Sequence, residues 1–472
     1  MMSYAINRVV VIGSGTMGGG IAALLANAGI PVYLLDLAPD ELTPEEEKLG
    51  LTLAHARVRN RIASGALERL KNSKPAAFHA PEAAELVTVG NLEDDFERVR
   101  EGDWIIEVIV EQLQSKRELM ARIEKMRRPQ SIVSSNTSGL PIASIAAGAS
   151  DDFKEHFLGT HFFTPPWFMK LLEVIPTKET KPEIVAFMTD FAERRLSKGV
   201  IICKDTPNFI ANRFASILVA SAVGYVLENG YTIEEADAIV SPLIGRPRTA
   251  LFRMQDLVGL DVASAVCENL YGLIEQDESR EVLRDEKFKA LRTTQMERGR
   301  LGDKTGQGFY KKPPKGLKSE KSLKSDILTL DLETLEYRAR REPDIASIKE
   351  ALQIEPLAER LAFVLAQDDK AGALARHVIY HTLAYASRRV PEITDHLINV
   401  DRAMRWGYAH ELGPFELWDA LGVRRTAATI EASGILIAPW VTEMLSNGHE
   451  TFYLSEGGRL SYYDPARKSY VS

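Results

Sequence analysis

The chain has 472 residues, more than one hydrophobic core serves, so about two to four domains are expected. A hydrophobic fraction of 45% and a charged fraction of 26% are those of a soluble globular protein, and a net charge of -8 argues against a general nucleic-acid binder. Two cysteines, Cys203 and Cys267, exclude a disulfide framework and predict a reducing, cytoplasmic setting. Met1 to Arg8 carries no leader pattern, and the longest apolar helix candidate, Phe214 to Leu227, is too short to span a bilayer.

In chain order, Arg8 to Ile12 reads as a short buried strand. Gly13-Ser14-Gly15-Thr16-Met17-Gly18 follows at once, a GxGxxG stretch, and Ile21 to Asn27 reads as a helix stopped by Gly29. Pro31 to Leu35 reads as a second strand ending at Asp36. In this pattern Gly13 makes a tight turn, Gly15 lets the backbone approach a pyrophosphate, and Gly18 lets the helix pack close to the strand. Asp36, about 20 residues beyond the glycines, would accept hydrogen bonds from a ribose 2′-hydroxyl and repel a 2′-phosphate, which favours NAD over NADP. Strand, glycines, helix, strand and terminal acid together predict an α/β Rossmann-type dinucleotide-binding domain over residues 1–203.

Leu42 to Leu70 reads as helical, with Arg57, Arg59, Arg61 and Arg69 on a solvated face or, alternatively, as a platform for an acyl carrier's phosphates. Leu86 to Val89, Trp104 to Val110 and Ser131 to Ser135 are further strand candidates. The second runs through Glu107 to Glu111 with Lys116 on the next helix, and the third runs into Asn136-Thr137-Ser138-Gly139-Leu140. Polar loops at the C-terminal ends of parallel strands are where an open α/β sheet binds ligands.

Gly159-Thr160-His161-Phe162-Phe163-Thr164-Pro165 comes next, then an apolar run from Met169 to Ile175 that reads as a strand. Met169, Leu171, Glu173 and Ile175 would share one face. A carboxylate among three large apolar neighbours is costly unless paired, and His161, near the end of the run Phe157 to Phe163, is the nearest candidate. A His held by a Glu is a general base whose charged form the carboxylate stabilises; the alternative is a buried ion pair without chemistry.

Lys204 to Arg213 leads into the helix pattern Phe214 to Leu227, with Asn212 and Arg213 on its first turns. Asn212 is there either a cap or an amide aimed at a substrate carbonyl. The second half then repeats itself. Phe252 to Gly259 matches Phe415 to Gly422, with Asp256 against Asp419. Ile233 to Ile239 matches Ile398 to Met404, with Asp237 against Asp401, and Gly308-Phe309-Tyr310 echoes Thr451-Phe452-Tyr453. Each of these Phe-Tyr echoes is followed by a strand-turn-strand pattern, around Asp331 and around Asp464, and two all-α, mutually similar domains are expected, at 204–312 and 347–472. A linker with a hairpin, 313–346, separates them and opens on a basic run, Lys311, Lys312, Lys315, Lys318, Lys321 and Lys324. His377 and His381 are spaced as two ligands on a helix would be, but Val378 stands where a zincin motif needs Glu, and no metal is assigned.

Taken together, the motifs resemble the NAD-dependent L-3-hydroxyacyl-CoA dehydrogenases of fatty-acid β-oxidation, nearest to the dehydrogenase half of bifunctional enzymes of the FadB/FadN type. The resemblance spans the chain through GSGTMGGG at 13–20, EVIVEQLQSK at 107–116, SNTSGL at 135–140, HFFTPPWFMKLLEVI at 161–175, KDTPNFIANR at 204–213 and KTGQGFY at 304–310. It implies oxidation of an (S)-3-hydroxyacyl-CoA to the 3-ketoacyl-CoA, with His161 as catalytic base and Glu173 as its partner. It also implies that Ser138 and Asn212 hold the substrate oxygen and the nicotinamide end of the site. Gly13, Gly15, Thr16, Met17, Gly18, Asp36, Glu111 and Lys116 would line the cofactor site. Thr164 stands where the family usually has a cofactor-contacting Asn, and Asn208 where it often has Gly. No hydratase-like segment is present, so an enoyl-CoA hydratase would be a partner or a missing fused domain. The two helical copies are expected to pair about a pseudo-two-fold axis, as a monomer with an internal pseudo-dimer. A same-fold dehydrogenase of a non-CoA hydroxy acid and an inactive NADH-binding scaffold remain as alternatives.

Overall fold

The computed structural model describes residues 4–312 and 327–472, which divide into two compact units, Met1–Phe209 and Ile210–Ser472. In the first unit, short β-branched runs with no room for polar side chains become the strands of one sheet. These are β1 (Val9–Ile12), β2 (Val32–Asp36), β3 (Val87–Asn91), β4 (Trp104–Glu107), β5 (Ile132–Ser135), β6 (Phe157–Phe162), β7 (Leu171–Pro176) and β8 (Gly199–Ile202). Their order is β3-β2-β1-β4-β5-β6-β7-β8. All pairs from β3 to β6 are parallel, β7 runs antiparallel to β6, and β8 is parallel to β7. The strand order turns back between β1 and β4, which opens a crevice at their carboxyl ends. One face of the sheet carries Val9, Val11, Leu34, Trp104, Ile106, Leu158, Phe162 and Val174, packed with Ile21 and Leu25 of α1 (Thr16–Asn27) and with Met188 and Phe191 of the helix Pro182–Leu196.

Two sequence expectations need correction here. Leu42 to Leu70 is not one helix but three short ones, Pro44–Lys48, Ala56–Arg59 and Arg61–Lys71. The Thr43 capping box starts the first, and Gly50, at a φ of 68°, lies beyond its end. Two of the four arginines there are paired with carboxylates, Arg59 with Glu93 and Asp94, and Arg61 with Glu46. The strand read as Met169 to Ile175 starts at Leu171; Met169 belongs to a turn, its N–H donating to the Pro165 carbonyl at 2.9 Å.

The second unit is mostly helical, with the helix Ala211–Glu228 packed against the helix Lys370–Arg389. It is not all-α, as the sequence reading had it. A three-stranded sheet forms from β9 (Tyr310–Lys311), β10 (Leu328–Leu330) and β11 (Tyr337–Ala339), and another from β12 (Tyr453–Glu456), β13 (Arg459–Asp464) and β14 (Ser469–Val471). The turns are legible. Asp331 accepts from the N–H groups of Glu333 and Thr334, and Asp464, at the end of β13, accepts from those of Ala466 and Arg467. A third strand joins each strand-turn-strand, β9 in the first sheet and β12 in the second, and both begin at the Tyr of the Phe-Tyr echoes, where the sequence pattern carries no strand signal. Lys315, Lys318, Lys321 and Lys324 lie outside the described residues.

Buried and half-buried aspartates pin these sheets to the helices. Asp237 accepts from Phe252 N at 2.7 Å and from the Tyr310 hydroxyl at 2.7 Å, while Asp256 accepts from Phe309 N and Tyr310 N, both at 2.8 Å. Asp401 accepts from Phe415 N at 2.8 Å and from the Tyr453 hydroxyl at 2.7 Å, while Asp419 accepts from Phe452 N at 2.7 Å and Tyr453 N at 2.9 Å.

Candidate active site

The Gly-rich loop joins β1 to α1 at the crevice. Gly13 has φ +103°, a conformation that favours glycine, and an added Cβ would meet the Val108 carbonyl oxygen at 2.4 Å. A Cβ at Gly18 would stand 1.8 Å from the Gly13 carbonyl oxygen, so helix and loop touch backbone to backbone. Gly15 differs: it has an ordinary φ of -61°, and a Cβ there would meet nothing within 4 Å. The space over Gly15 is therefore open, and the first turn of α1 has neither a side-chain cap nor an acidic residue. Such a helix start, reached across a bare glycine, fits a pyrophosphate, so the loop fits NAD. Thr16 and Met17 are the first two residues of α1.

Asp36 closes β2 beside this loop. Its Oδ2 accepts from Ser14 N and Ser14 Oγ, both at 2.5 Å, and its Oδ1 from Leu37 N at 2.7 Å. The carboxylate is thus turned toward the Gly-rich loop, where a ribose acceptor must sit, and it also braces the loop.

Across the crevice, β4 and β5 end in a compact polar cluster. Lys116, on the helix Leu113–Met126, is buried, and its Nζ lies 2.6 Å from Glu107 Oε1 and 3.2 Å from Glu111 Oε2. Glu107, also buried, accepts from Ser135 Oγ at 2.5 Å and Ile109 N at 2.8 Å. Glu111 accepts from the Thr137 hydroxyl, from Ser138 N at 2.9 Å and from Gly139 N at 3.2 Å. Burial alone would raise the Glu111 carboxyl, but the Lys116 ammonium and these donors hold it below the usual carboxylate range. Lys116 therefore reaches the crevice through Glu111, not with its own surface. Ser138 is exposed, and among the described residues its hydroxyl makes no hydrogen bond.

His161 and Glu173 face each other across β6 and β7 in direct register. The His161 Nδ1 to Glu173 Oε2 distance is 2.6 Å, and both residues are buried. An ionised carboxylate only accepts, so Nδ1 carries the proton and donates, leaving Nε2 as the basic nitrogen. The rings of Phe163 and Phe209 flank the imidazole, with centroids 4.6 and 5.7 Å away. Thr164 Oγ1 contacts Met17 Sδ at 2.7 Å, which ties the segment after His161 to the start of α1.

Several contributors carry no site role in the sequence reading. Asn136 Oδ1 accepts from Phe162 N at 2.9 Å, next to His161. Lys198 donates to the carbonyls of Pro166 and, at 2.6 Å, Met169, which holds the loop between β6 and β7; with no carboxylate to offset it, burial pushes its ammonium down to about 8. Asn208 and Phe209 take φ values of 59° and 50°, and a Cβ on Gly139 would lie 2.4 Å from Asn208 Oδ1. The side chain of Asn208 thus covers the Ser138-Gly139 loop, a place that its sequence neighbours gave no means of finding. Asn212 belongs to the second unit, on the first turn of the helix Ala211–Glu228, where its Oδ1 accepts from the Tyr408 hydroxyl at 2.8 Å.

Residues 8–206 match the family model described as "3-hydroxyacyl-CoA dehydrogenase, NAD binding domain", and residues 209–312 match "3-hydroxyacyl-CoA dehydrogenase, C-terminal domain". The chain is 42% identical over 308 residues to a probable 3-hydroxyacyl-CoA dehydrogenase of Deinococcus radiodurans, a match that takes in 65% of this chain and 83% of that one. The chain belongs to the 3-hydroxyacyl-CoA dehydrogenase family. It is also 46% identical over 463 residues to a probable 3-hydroxyacyl-CoA dehydrogenase of Bacillus subtilis, which takes in 98% of this chain but only 57% of the relative's length. In fold it is similar to the crystal structure of 3-hydroxybutyryl-CoA dehydrogenase from Escherichia coli K12, at a TM-score of 0.65 and 22% identity, over 94% of this chain and 100% of that one. The 3-hydroxyacyl-CoA dehydrogenase models end at residue 312, although the second unit runs to residue 472. Among the described residues no helix is long and apolar enough to cross a membrane.

Proposed function

We propose that this chain catalyses the NAD-dependent oxidation of (S)-3-hydroxyacyl-CoA to 3-ketoacyl-CoA, a step of fatty-acid β-oxidation. The single observation that carries this reading is the buried His161–Glu173 pair, 2.6 Å apart, on the sheet that presents the open Gly15 loop. NAD, when bound, supplies the hydride acceptor. Gly13, Gly15, Thr16, Met17 and Gly18 would hold its pyrophosphate, Asp36 its ribose, and Glu111 and Ser138 the nicotinamide side. His161 Nε2 takes the proton of the 3-hydroxyl as the C3 hydride leaves. Glu173, fixed on Nδ1, keeps the imidazole in the right tautomer and stabilises the imidazolium that forms. Ser138 and Asn212 would donate to the substrate oxygen. In the reverse direction the imidazolium returns the proton to the alkoxide.

From residue 204 onward the chain is read as two copies of one helical domain, 204–312 and 347–472, joined by a linker over 313–346. Support comes from the matched aspartate hydrogen bonds, Asp237 and Asp256 in one and Asp401 and Asp419 in the other. An enoyl-CoA hydratase, separate or fused, would supply the substrate. The cytoplasm is the setting proposed, on the strength of two buried cysteines that form no disulfide. NADH formation with a panel of (S)-3-hydroxyacyl-CoAs of rising chain length, and with the matching free hydroxy acids, tests the reading. Turnover of the free acids at the rate of the thioesters would shift the assignment to a hydroxy-acid dehydrogenase. No turnover of either, with NADH still bound, would leave a cofactor-binding scaffold.

A further inference from the structure

Residues that the family's C-terminal model does not reach take hold of the segment that carries Asn212. The helix Ala211–Glu228 begins without a side-chain cap, so its first turn relies on outside contacts. Arg213, fully buried, is gripped by Asp277 Oδ2 at 2.7 Å, Glu392 Oε1 at 2.9 Å and the Tyr385 hydroxyl at 3.1 Å. Asn212, one residue earlier, receives the Tyr408 hydroxyl on Oδ1 at 2.8 Å. Tyr385, Glu392 and Tyr408 all lie beyond residue 346, in the second helical copy. Among the described residues the Asn212 amide nitrogen makes no hydrogen bond.

A side-chain amide has one acceptor oxygen and one nitrogen with two hydrogens, and a half-turn about its last torsion exchanges them. A Tyr hydroxyl that donates to the oxygen settles which end faces outward. With the oxygen taken, Asn212 offers two N–H donors and no acceptor. That is the polarity a 3-keto or alkoxide oxygen needs, and the wrong one for an N–H group to approach. We infer that Tyr408 is a positioning residue for Asn212, so that the second helical copy sets the orientation of a catalytic amide and does not merely add bulk. This rests on the role proposed above for Asn212. Tyr408 would act through that amide and touch neither the substrate nor NAD.

The test is a double-mutant cycle with Tyr408→Phe and Asn212→Ala, read as kcat and KM for both substrates in the full-length chain. Tyr408→Phe keeps the ring and removes one hydroxyl, so the fold should survive. One neutral hydrogen bond is worth about 1 kcal/mol, so kcat should fall about fivefold, with the KM for NAD unchanged. On the Asn212→Ala background the same change should have no further effect on kcat. Tyr385→Phe, which loosens Arg213 but leaves the Asn212 amide bonded, serves as the control: it should lower the melting temperature and leave kcat nearer wild type than Tyr408→Phe does. Full activity in Tyr408→Phe would overturn the inference. So would losses that multiply in the double variant, since a general packing defect acts whether or not Asn212 is present. If Asn212→Ala itself keeps full activity, the role of Asn212 falls, a separate result from failure of Tyr408 alone.

Discussion

At the scale of single residues, the proposed chemistry rests mostly on two carboxylates and one imidazole. Glu173 sits in β7 between Val174 and Leu172 and is fully covered, so its charge is tolerable only with a partner. Strand register supplies that partner directly opposite, in His161. His161→Ala or Glu173→Gln should each lower kcat by about 10²- to 10⁴-fold, the usual worth of a positioned general base, while NADH affinity stays near wild type. Stopped-flow turnover with a fluorescence titration of NADH checks both halves of that expectation. Asp36 would have two duties, since besides the proposed ribose contact its Oδ2 accepts from Ser14 N and Ser14 Oγ in the loop. Asp36→Ala should therefore raise the KM for NAD and, because the repulsive charge is lost with the acceptor, narrow the preference for NAD over NADP. The ratio of kcat/KM for the two cofactors reads the second effect, and an unchanged ratio would remove Asp36 from the ribose.

At the scale of elements, the glycines of the β1–α1 turn separate folding from binding. Gly18 touches the Gly13 carbonyl, and a Cβ at 1.8 Å cannot be absorbed without parting helix from loop. Gly15 has open space and an ordinary φ. Gly18→Ala should thus lower the melting temperature by several degrees and weaken NAD binding as a consequence. Gly15→Ala should melt as wild type yet bind NAD at least tenfold more weakly, because its methyl group occupies the path of the pyrophosphate. Calorimetry paired with cofactor titration distinguishes the two. Equal melting losses in both variants would refute this division of labour. The glycine spacing was legible in the sequence because only glycine serves at those positions. The breakup of Leu42 to Leu70 into three short helices was not, because apolar residues at helical spacing persist through turns that a cap at Thr43 and Gly50 create.

At the scale of the whole chain, the second unit holds the start of the helix Ala211–Glu228 through Tyr385, Glu392 and Tyr408. A fragment ending at Lys312 would lose all three, leaving buried Arg213 with Asp277, and would expose the face of that helix now packed on the helix Lys370–Arg389. The intact chain is predicted to be monomeric, and the fragment to dimerise or aggregate, by light scattering. A monomeric, soluble and active fragment would show that the C-terminal copy does not stand in for a partner.

The sequence alone determined the dinucleotide fold, the cofactor loop and the His161–Glu173 pair. Each depends on local rules: glycine where no Cβ fits, alternation along strands, and the cost of an unpaired buried charge. Its matched segments also align Asp237 with Asp401 and Asp256 with Asp419, the basis of the proposed repeat. Only the tertiary structure decided that Lys116 is buried between Glu107 and Glu111. It alone put Asn208 over Gly139 and gave Asn212 to Tyr408, a residue nearly two hundred positions away. Those pairings join segments with no shared pattern. Their partners are chosen by how the chain packs, and local propensity carries no record of that choice.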